Sequence, residues 1–330
     1  MPCKICVMKK VIGIGNALVD ILSMTETDEA LCALGYPKGS MQLIGEETMR
    51  KIERAVSPLE KRTVAGGSAA NTINGIAKLG AEAAFIGKVG QDDVGGLFRR
   101  DIATNGVRPL LLQGTRPSGR CNVLVSKDGE RTMFTYLGAA DELCADDLTV
   151  EMFRGYDILH IEGYLVQNYG LIEAAGRMAK TAGLTVSLDM ASFNIVEENR
   201  PFLREFVGKY VDIVFANEEE AFAFTGRRGE DAAEEIAAKS DIAVVKMGGR
   251  GSVVRSREEV WRVGPNPVRC VDTTGAGDLY AAGFLYGVAR GVTLEECALI
   301  GSACAEAVIQ TVGARLPDNE WARIKSMLSA

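Results

Sequence analysis

Short apolar runs and helical stripes alternate along most of this chain. Residues 11–15, VIGIG, form an apolar run ending in glycine and read as a buried strand. Residues 68–80, SAANTINGIAKLG, carry Ile73, Ile76, Ala77 and Leu79 at helical spacing, with Ser68 as N-cap and Gly80 as the stop. AAFIGKV at 83–89 reads as a strand, and GLFRRDIATNGV as a helix closing at Gly106. Beyond residue 155 the alternation becomes regular. DILHIEG precedes a helix around 169–182, LTVSLDM one around 197–208, VDIVFAN one around 218–225, and IAVVKMG a hairpin. Two small-residue helices, about 276–290 and 294–311, come last. Continuous apolar strands separated by helices are the pattern of an α/β domain with a mostly parallel sheet.

Two segments break this rhythm. Residues 21–47 are polar and turn-rich, with apolar positions at strand-like intervals. In 113–140, the stretch CNVLVSKDGERTMFTYL alternates with period two around Asp128-Gly129, a strong hairpin signal. The expected organisation is a core of 10–20, 48–112 and 141–330, with 21–47 and 113–140 inserted as a small β lid. No internal repeat or Pro-rich linker divides the chain.

Composition narrows the chemistry. With 330 residues, 47% of them hydrophobic, the chain can bury a sizeable core. The net charge of −7 argues against a dedicated nucleic-acid binder, though not against an anion in a locally positive pocket. The single histidine, His160, lies in a strand run and reads as packing, which disfavours His-dependent triads and His-rich zinc sites. Eight scattered cysteines do not make a disulfide framework; Cys3-x-x-Cys6 lacks a second pair and reads as incidental. Met8 is an alternative native start. With no signal-peptide pattern and no apolar span of about 18 residues, a cytoplasmic protein without a membrane partner is expected.

Three glycine turns carry the candidate chemistry. In Asp272-Thr273-Thr274-Gly275-Ala276-Gly277-Asp278 a turn runs straight into a helix. Backbone amides there, with the positive end of the helix dipole, suit a phosphate. A carboxylate beside a phosphate site repels the ligand, so Asp278 needs a reason. Acting as general base on an attacking hydroxyl is one, and a plain helix cap is the other. Gly66-Gly67-Ser68-Ala69-Ala70-Asn71 is a second glycine pair entering a helix, where amides and Asn71 could grip polyol hydroxyls; a tight turn capped by Ser68 is equally compatible. The third, Gly15-Asn16-Ala17-Leu18-Val19-Asp20, ends the first strand, where open α/β sheets bind ligands. Leu18 stands where a dinucleotide fingerprint needs glycine, and no Walker loop exists, so hydride transfer is disfavoured.

Gly66-Gly67 through Gly96 and Asp272 through Gly283 resemble the two signatures of the ribokinase, or phosphofructokinase-B, family. The resemblance implies a three-layer α/β/α core with a mostly parallel sheet plus a small β-sheet lid. It implies transfer of the ATP γ-phosphoryl group to a hydroxymethyl group, with Mg²⁺. It makes Asp278 the base, Gly275, Ala276 and Gly277 an anion hole, and Asn16, Asp20, Gly66, Gly67 and Asn71 substrate contacts. Asn217-x-x-Glu220 resembles the family's N-x-x-E, with Glu220 ordering Mg²⁺ through water; Lys246, Gly248, Gly249 and Gly251 match the nucleotide-side strand and turn. Asp272 and the turn near Gly313 resemble a monovalent-cation loop, which would bind K⁺. GNALVDIL, Gln42 facing a base and the lid residue Arg131 tilt the resemblance toward the adenosine kinase branch, with Tyr164 and Phe193 as candidates to flank a purine. A ribokinase-like sugar kinase and a non-catalytic nucleoside or sugar sensor are the alternatives. A monomer or a homodimer is expected.

Overall fold

The computed structural model describes residues 8–25, 35–127 and 130–328. Cys3, Cys6 and the Asp128-Gly129 turn lie outside them. The larger sheet has nine strands. Seven of them are parallel in the order β12 (Ile242–Lys246), β11 (Ile213–Asn217), β10 (Thr185–Asp189), β9 (Ile158–Glu162), β1 (Val11–Ile14), β5 (Ala83–Val89), β6 (Val107–Gln113). Two antiparallel strands, β13 (Ser252–Ser256) and β14 (Val260–Val263), extend the β12 edge.

The apolar runs are continuous because both sheet faces are covered. In β11, Ile213 and Phe215 enter one core and Val214 and Ala216 the other. Helices α2 (Ser68–Leu79), α8 (Ala276–Arg290) and α9 (Leu294–Val308) cover the first face. Helices α4 (Tyr169–Thr181), α5 (Phe193–Tyr210), α6 (Glu218–Thr225) and α7 (Gly229–Ala237) cover the second. The small residues of α8 and α9 allow close approach: a Cβ on Gly283 would lie 2.6 Å from the Ile300 carbonyl oxygen.

A second sheet of five strands has the order β3 (Met41–Leu43), β8 (Arg131–Tyr136), β7 (Gly119–Val125), β2 (Leu18–Met24), β4 (Lys61–Gly66). The two inserted segments do pair, through β2 with β7 and β3 with β8. The small sheet reaches further than 21–47 and 113–140. It begins at Leu18 and takes in β4, which pairs with β2 from Leu18–Gly66 to Ser23–Lys61. Helix α1 (Glu46–Ala55) joins it by packing Ile52 with Leu124 and Phe134. β4 starts Lys61-Arg62-Thr63, a polar stretch with no strand-like alternation. Helix α3 (Asp93–Thr104) starts earlier than expected because Asp92 caps it, accepting from Gly95 N at 2.9 Å. No helix among the described residues is long and apolar enough to cross a membrane.

Candidate active site

Five neighbouring parallel strands end on one cavity of about 1080 Å³. They deliver Asn16 just beyond β1, Glu162 from β9, Asp189 from β10, Asn217 from β11 and Lys246 from β12. Polar groups collect there because an open α/β sheet leaves its crevice at the carboxyl ends of its strands. The N-termini of α2 and α8 and one face of the small sheet close the remaining walls. A volume of this size exceeds that of most single-ligand pockets.

Asp278 stands at the junction. Its Oδ1 accepts from Ser68 Oγ (2.7 Å) and its Oδ2 from Asn71 Nδ2 (3.0 Å). Thr72 Oγ1 also donates to the Asp278 carbonyl (3.1 Å), so α2 and α8 are joined through this residue. Burial pushes the carboxyl up to about 6 against the pull of these two donors. Ser68 is therefore not the cap of α2. Gly67 takes that position with φ 95°, and the Ser68 hydroxyl is spent on Asp278. Asn71 is likewise committed through its amide nitrogen, while its buried Oδ1 has no partner among the described residues.

The α8 turn differs from the expected three-amide hole. Gly275, at φ 77°, caps the helix, and Ala276 N donates to Thr273 O (3.1 Å). That bond closes the turn and leaves the amides of Gly275 and Gly277 for an anion. A Cβ on Gly277 would lie 3.0 Å from Lys246 Nζ, so a full positive charge adjoins the same turn.

Asp272 does not fit a monovalent cation. Its Oδ1 accepts from Thr274 N (3.0 Å) and Thr274 Oγ1 (2.8 Å), and its Oδ2 from Gly313 N (2.6 Å). Arg131 Nη2 adds an ion pair to Oδ2 at 2.8 Å, and Arg131 Nη1 donates to Thr274 Oγ1 at 3.2 Å. Four donors fill the lone pairs of the carboxylate. Arg131 thus ties the small sheet to the α8 turn.

Asn217 and Glu220 form a capping box at α6. Asn217 Oδ1 accepts from Glu220 N (2.9 Å), and Asn217 N donates to Glu220 Oε2 (2.7 Å). Both also line the cavity, and Glu219 is exposed as expected. Burial, then the charge of Asp189, pushes Glu220 up to about 7. That strained charge, with a free lone pair on each oxygen, fits the water shell of Mg²⁺. Lys246, Gly248, Gly249 and Gly251 line the same half, with Pro265 and Pro267 opposite α9.

In the other half the small sheet turns an apolar face inward: Leu18, Met41, Leu43, Met133 and Leu137. Met41 is 49% exposed and Leu43 60%, so no described residue covers this face. Gln42 does not face the cavity. The pairs Met41–Met133 and Leu43–Thr135 point inward, while Gln42 pairs with buried Phe134 on the opposite face, and its amide donates to Ser40 Oγ (3.2 Å). Tyr164 lines the cavity; Phe193, 44% exposed, does not. Gly67 and Asn16 line it, whereas Gly66 and Asp20 do not. Asp20 shares the inward face of β2 with Leu18, its carboxylate against Gly66. Burial pushes it up to about 7, and it has no hydrogen-bond donor among the described residues.

Glu162 and Asp189 are the residues that sequence reasoning undervalued. Glu162 accepts from Asn16 Nδ2 (2.6 Å) and Ala69 N (3.1 Å), binding the end of β1 to the start of α2, and burial pushes it up to about 7. The available signal was position, since each is an acid ending an apolar strand. His160 bonds Ser187 Oγ through Nδ1 (2.9 Å) in full burial, as a packing residue does; burial holds it at about 4.

Comparison with known proteins gives a consistent picture. Residues 39–322 match the family model described as pfkB family carbohydrate kinase. The crystal structure of adenosine kinase from Sinorhizobium meliloti shares 36% identity and superposes with a TM-score of 0.86, covering 98% of this chain and 100% of that one. A probable sugar kinase from Rhizobium etli shares 34%, with TM-score 0.86 and coverage of 98% and 99%. An uncharacterized sugar kinase of Archaeoglobus fulgidus is 30% identical over 249 residues, 73% of this chain and 96% of that protein.

Proposed function

The chain belongs to the pfkB family of carbohydrate kinases, which are ATP-dependent phosphotransferases, and from that premise we propose that its acceptor is a nucleoside, adenosine foremost. One observation carries this reading: the acceptor half has a polar floor and an apolar roof that the described residues leave uncovered. Asn16, Asn71 and Asp278 suit ribose hydroxyls, while Leu18, Met41, Leu43, Met133 and Leu137, with Tyr164 nearby, suit a flat base. A free sugar has no apolar face of that extent to offer. The Asn71 Oδ1 is a buried acceptor without a donor among the described residues, and a ribose hydroxyl would supply one. The adenosine kinase of Sinorhizobium meliloti supports the same assignment.

In the step itself, the acceptor hydroxymethyl oxygen bonds to the γ-phosphorus as its proton passes to Asp278. The bond from that phosphorus to the bridging oxygen breaks, leaving ADP. The Gly275 and Gly277 amides take up charge on the transferring group, and Arg131 holds the small sheet closed against water. Bound Mg²⁺ supplies charge neutralisation at the phosphates, and Glu220 is the residue that would hold its water shell. Because Asp278 acts deprotonated and lies at about 6, kcat is expected to fall about tenfold per pH unit below roughly pH 6. A kcat flat down to pH 5 in a pH–rate profile would contradict the base assignment.

A ribokinase-like sugar kinase has one feature in its favour. Glu162 brings an acid to the floor, and a sugar hydroxyl could donate to it. ADP release from ATP·Mg²⁺ against adenosine, inosine, guanosine, ribose, fructose, fructose phosphates and ketodeoxygluconate separates the readings. Adenosine leading in kcat/KM by a large factor supports the nucleoside. A free sugar leading retains Asp278 but overturns the base slot, and ligand binding without ADP from any acceptor returns the protein to a sensor.

A further inference from the structure

Asp189, the last residue of β10, is 6% exposed and has no role in the step described above. Its surroundings are built with care. Oδ1 accepts from Ala191 N at 2.9 Å, and Oδ2 from Lys246 Nζ at 2.9 Å. Ala191 is the one non-glycine residue with positive φ among the described residues, at 65°. Ser192 N donates to Met190 O (2.8 Å) to close that turn, and any Cβ on Gly163 would collide with the Asp189 carbonyl oxygen. A strained backbone persists only where its surroundings over-determine it, and such turns cluster at functional sites.

The other end of the ion pair explains the investment. Lys246 Nζ faces Asp189 from β10, Glu220 from α6 and Asp278 from α8, and it adjoins Gly277 at the anion turn. A lysine ammonium is a compact point charge on a flexible four-carbon stem. Without an anchor it would settle on whichever carboxylate lay nearest, and Asp278 is one of them. An ammonium bound to the base would hold it as a carboxylate but block its access to the acceptor hydroxyl.

We propose that Asp189 is a positioning residue for phosphoryl transfer. It holds the Lys246 ammonium at Gly277 and away from Asp278, so that its remaining hydrogens meet the oxygens of the transferring phosphoryl group. Lys246 stays protonated throughout; the acceptor's proton goes to Asp278 and the electron pair of the breaking P–O bond goes to ADP. The assignment rests on the phosphotransferase reading but not on which acceptor is used.

The test uses the full chain and Asp189→Asn, which keeps the shape and removes the charge. The probe is Mg·ADP with aluminium fluoride, titrated calorimetrically at pH 7.5 without acceptor. Its affinity is expected to fall on the order of 10- to 100-fold, while Mg·ADP alone binds within about threefold of wild type. Asp189→Glu should recover part of the loss. With any productive acceptor, kcat of Asp189→Asn should fall by a similar factor while KM for ATP stays within about threefold of wild type. A purely structural role would lower Tm without that split between kcat and KM, and would overturn the proposal. So would wild-type affinity for the aluminium fluoride complex. If Asp189→Asn does not fold, Lys246→Met carries the same demand: wild-type affinity there overturns the proposal equally. Failure of every nucleoside as acceptor leaves the calorimetric arm untouched, so the two readings fail separately.

Discussion

Asp278→Asn is expected to lower kcat by on the order of 10²–10⁴, with KM for ATP and for the acceptor within a few-fold of wild type. The carboxamide has the same shape, so Ser68 Oγ keeps an acceptor at the former Oδ1. At the other position the new NH₂ would face the Asn71 amide nitrogen, donor against donor. Asn71 can answer by rotating its amide, because its buried Oδ1 has no partner to lose. Folding should therefore survive, and the variant no longer buries a charge. The acid limb near pH 6 should vanish with the carboxylate. Steady-state kinetics on both substrates decide the matter: a kcat within tenfold of wild type would remove Asp278 from the chemistry.

Gly67→Ala is the second large effect, and it acts through backbone. Gly67 sits at φ 95°, ψ 140°, a region that a Cβ disfavours. The added methyl would also collide with the Asn16 carbonyl oxygen. Asn16 cannot yield, since its N and Nδ2 are both tied to Glu162 Oε1, at 3.3 and 2.6 Å. The start of α2 must move instead, taking Ser68 and Asn71 off Asp278. A stability loss of about 2–4 kcal/mol and a matching fall in kcat are expected. Gly80→Ala is the control: its φ of 112° is strained, but among the described residues no contact within 4 Å meets the new methyl. It should cost only about 1 kcal/mol and leave kcat alone. Equal denaturation midpoints for the two variants would refute the collision argument.

The parallel sheet was legible because strands buried on both faces must be continuously apolar, and most end at or just before a polar residue or glycine. The α8 turn was legible because glycine adopts the left-handed φ of Gly275 without the strain that a Cβ brings. What could not be read depended on side-chain direction or on distant partners. β3 is three residues long, and in Met41-Gln42-Leu43 nothing local says which parity faces inward; the pairing with β8 decides it. The filling of Asp272 by Gly313 and Arg131 joins residues far apart in the chain. β4 was missed because its first three residues are polar, and it exists by pairing with β2. Asp189 was missed because a lone acid after an apolar strand is common, and its meaning comes from Lys246 on β12.

The small sheet also sets a schedule for biosynthesis. Its β2 pairs on one edge with β7, in the register Leu18–Gly119, about a hundred residues downstream. At ribosomal rates of about 5–20 residues per second, that edge waits on the order of 5–20 s for its partner. Meanwhile Leu18–Met24, apolar at most positions, is exposed to other nascent chains. Asp20 interrupts that run with a charge that carries full hydration until the sheet forms. In the nascent chain the acid is a gatekeeper against misassociation, before the fold sets its carboxylate against Gly66.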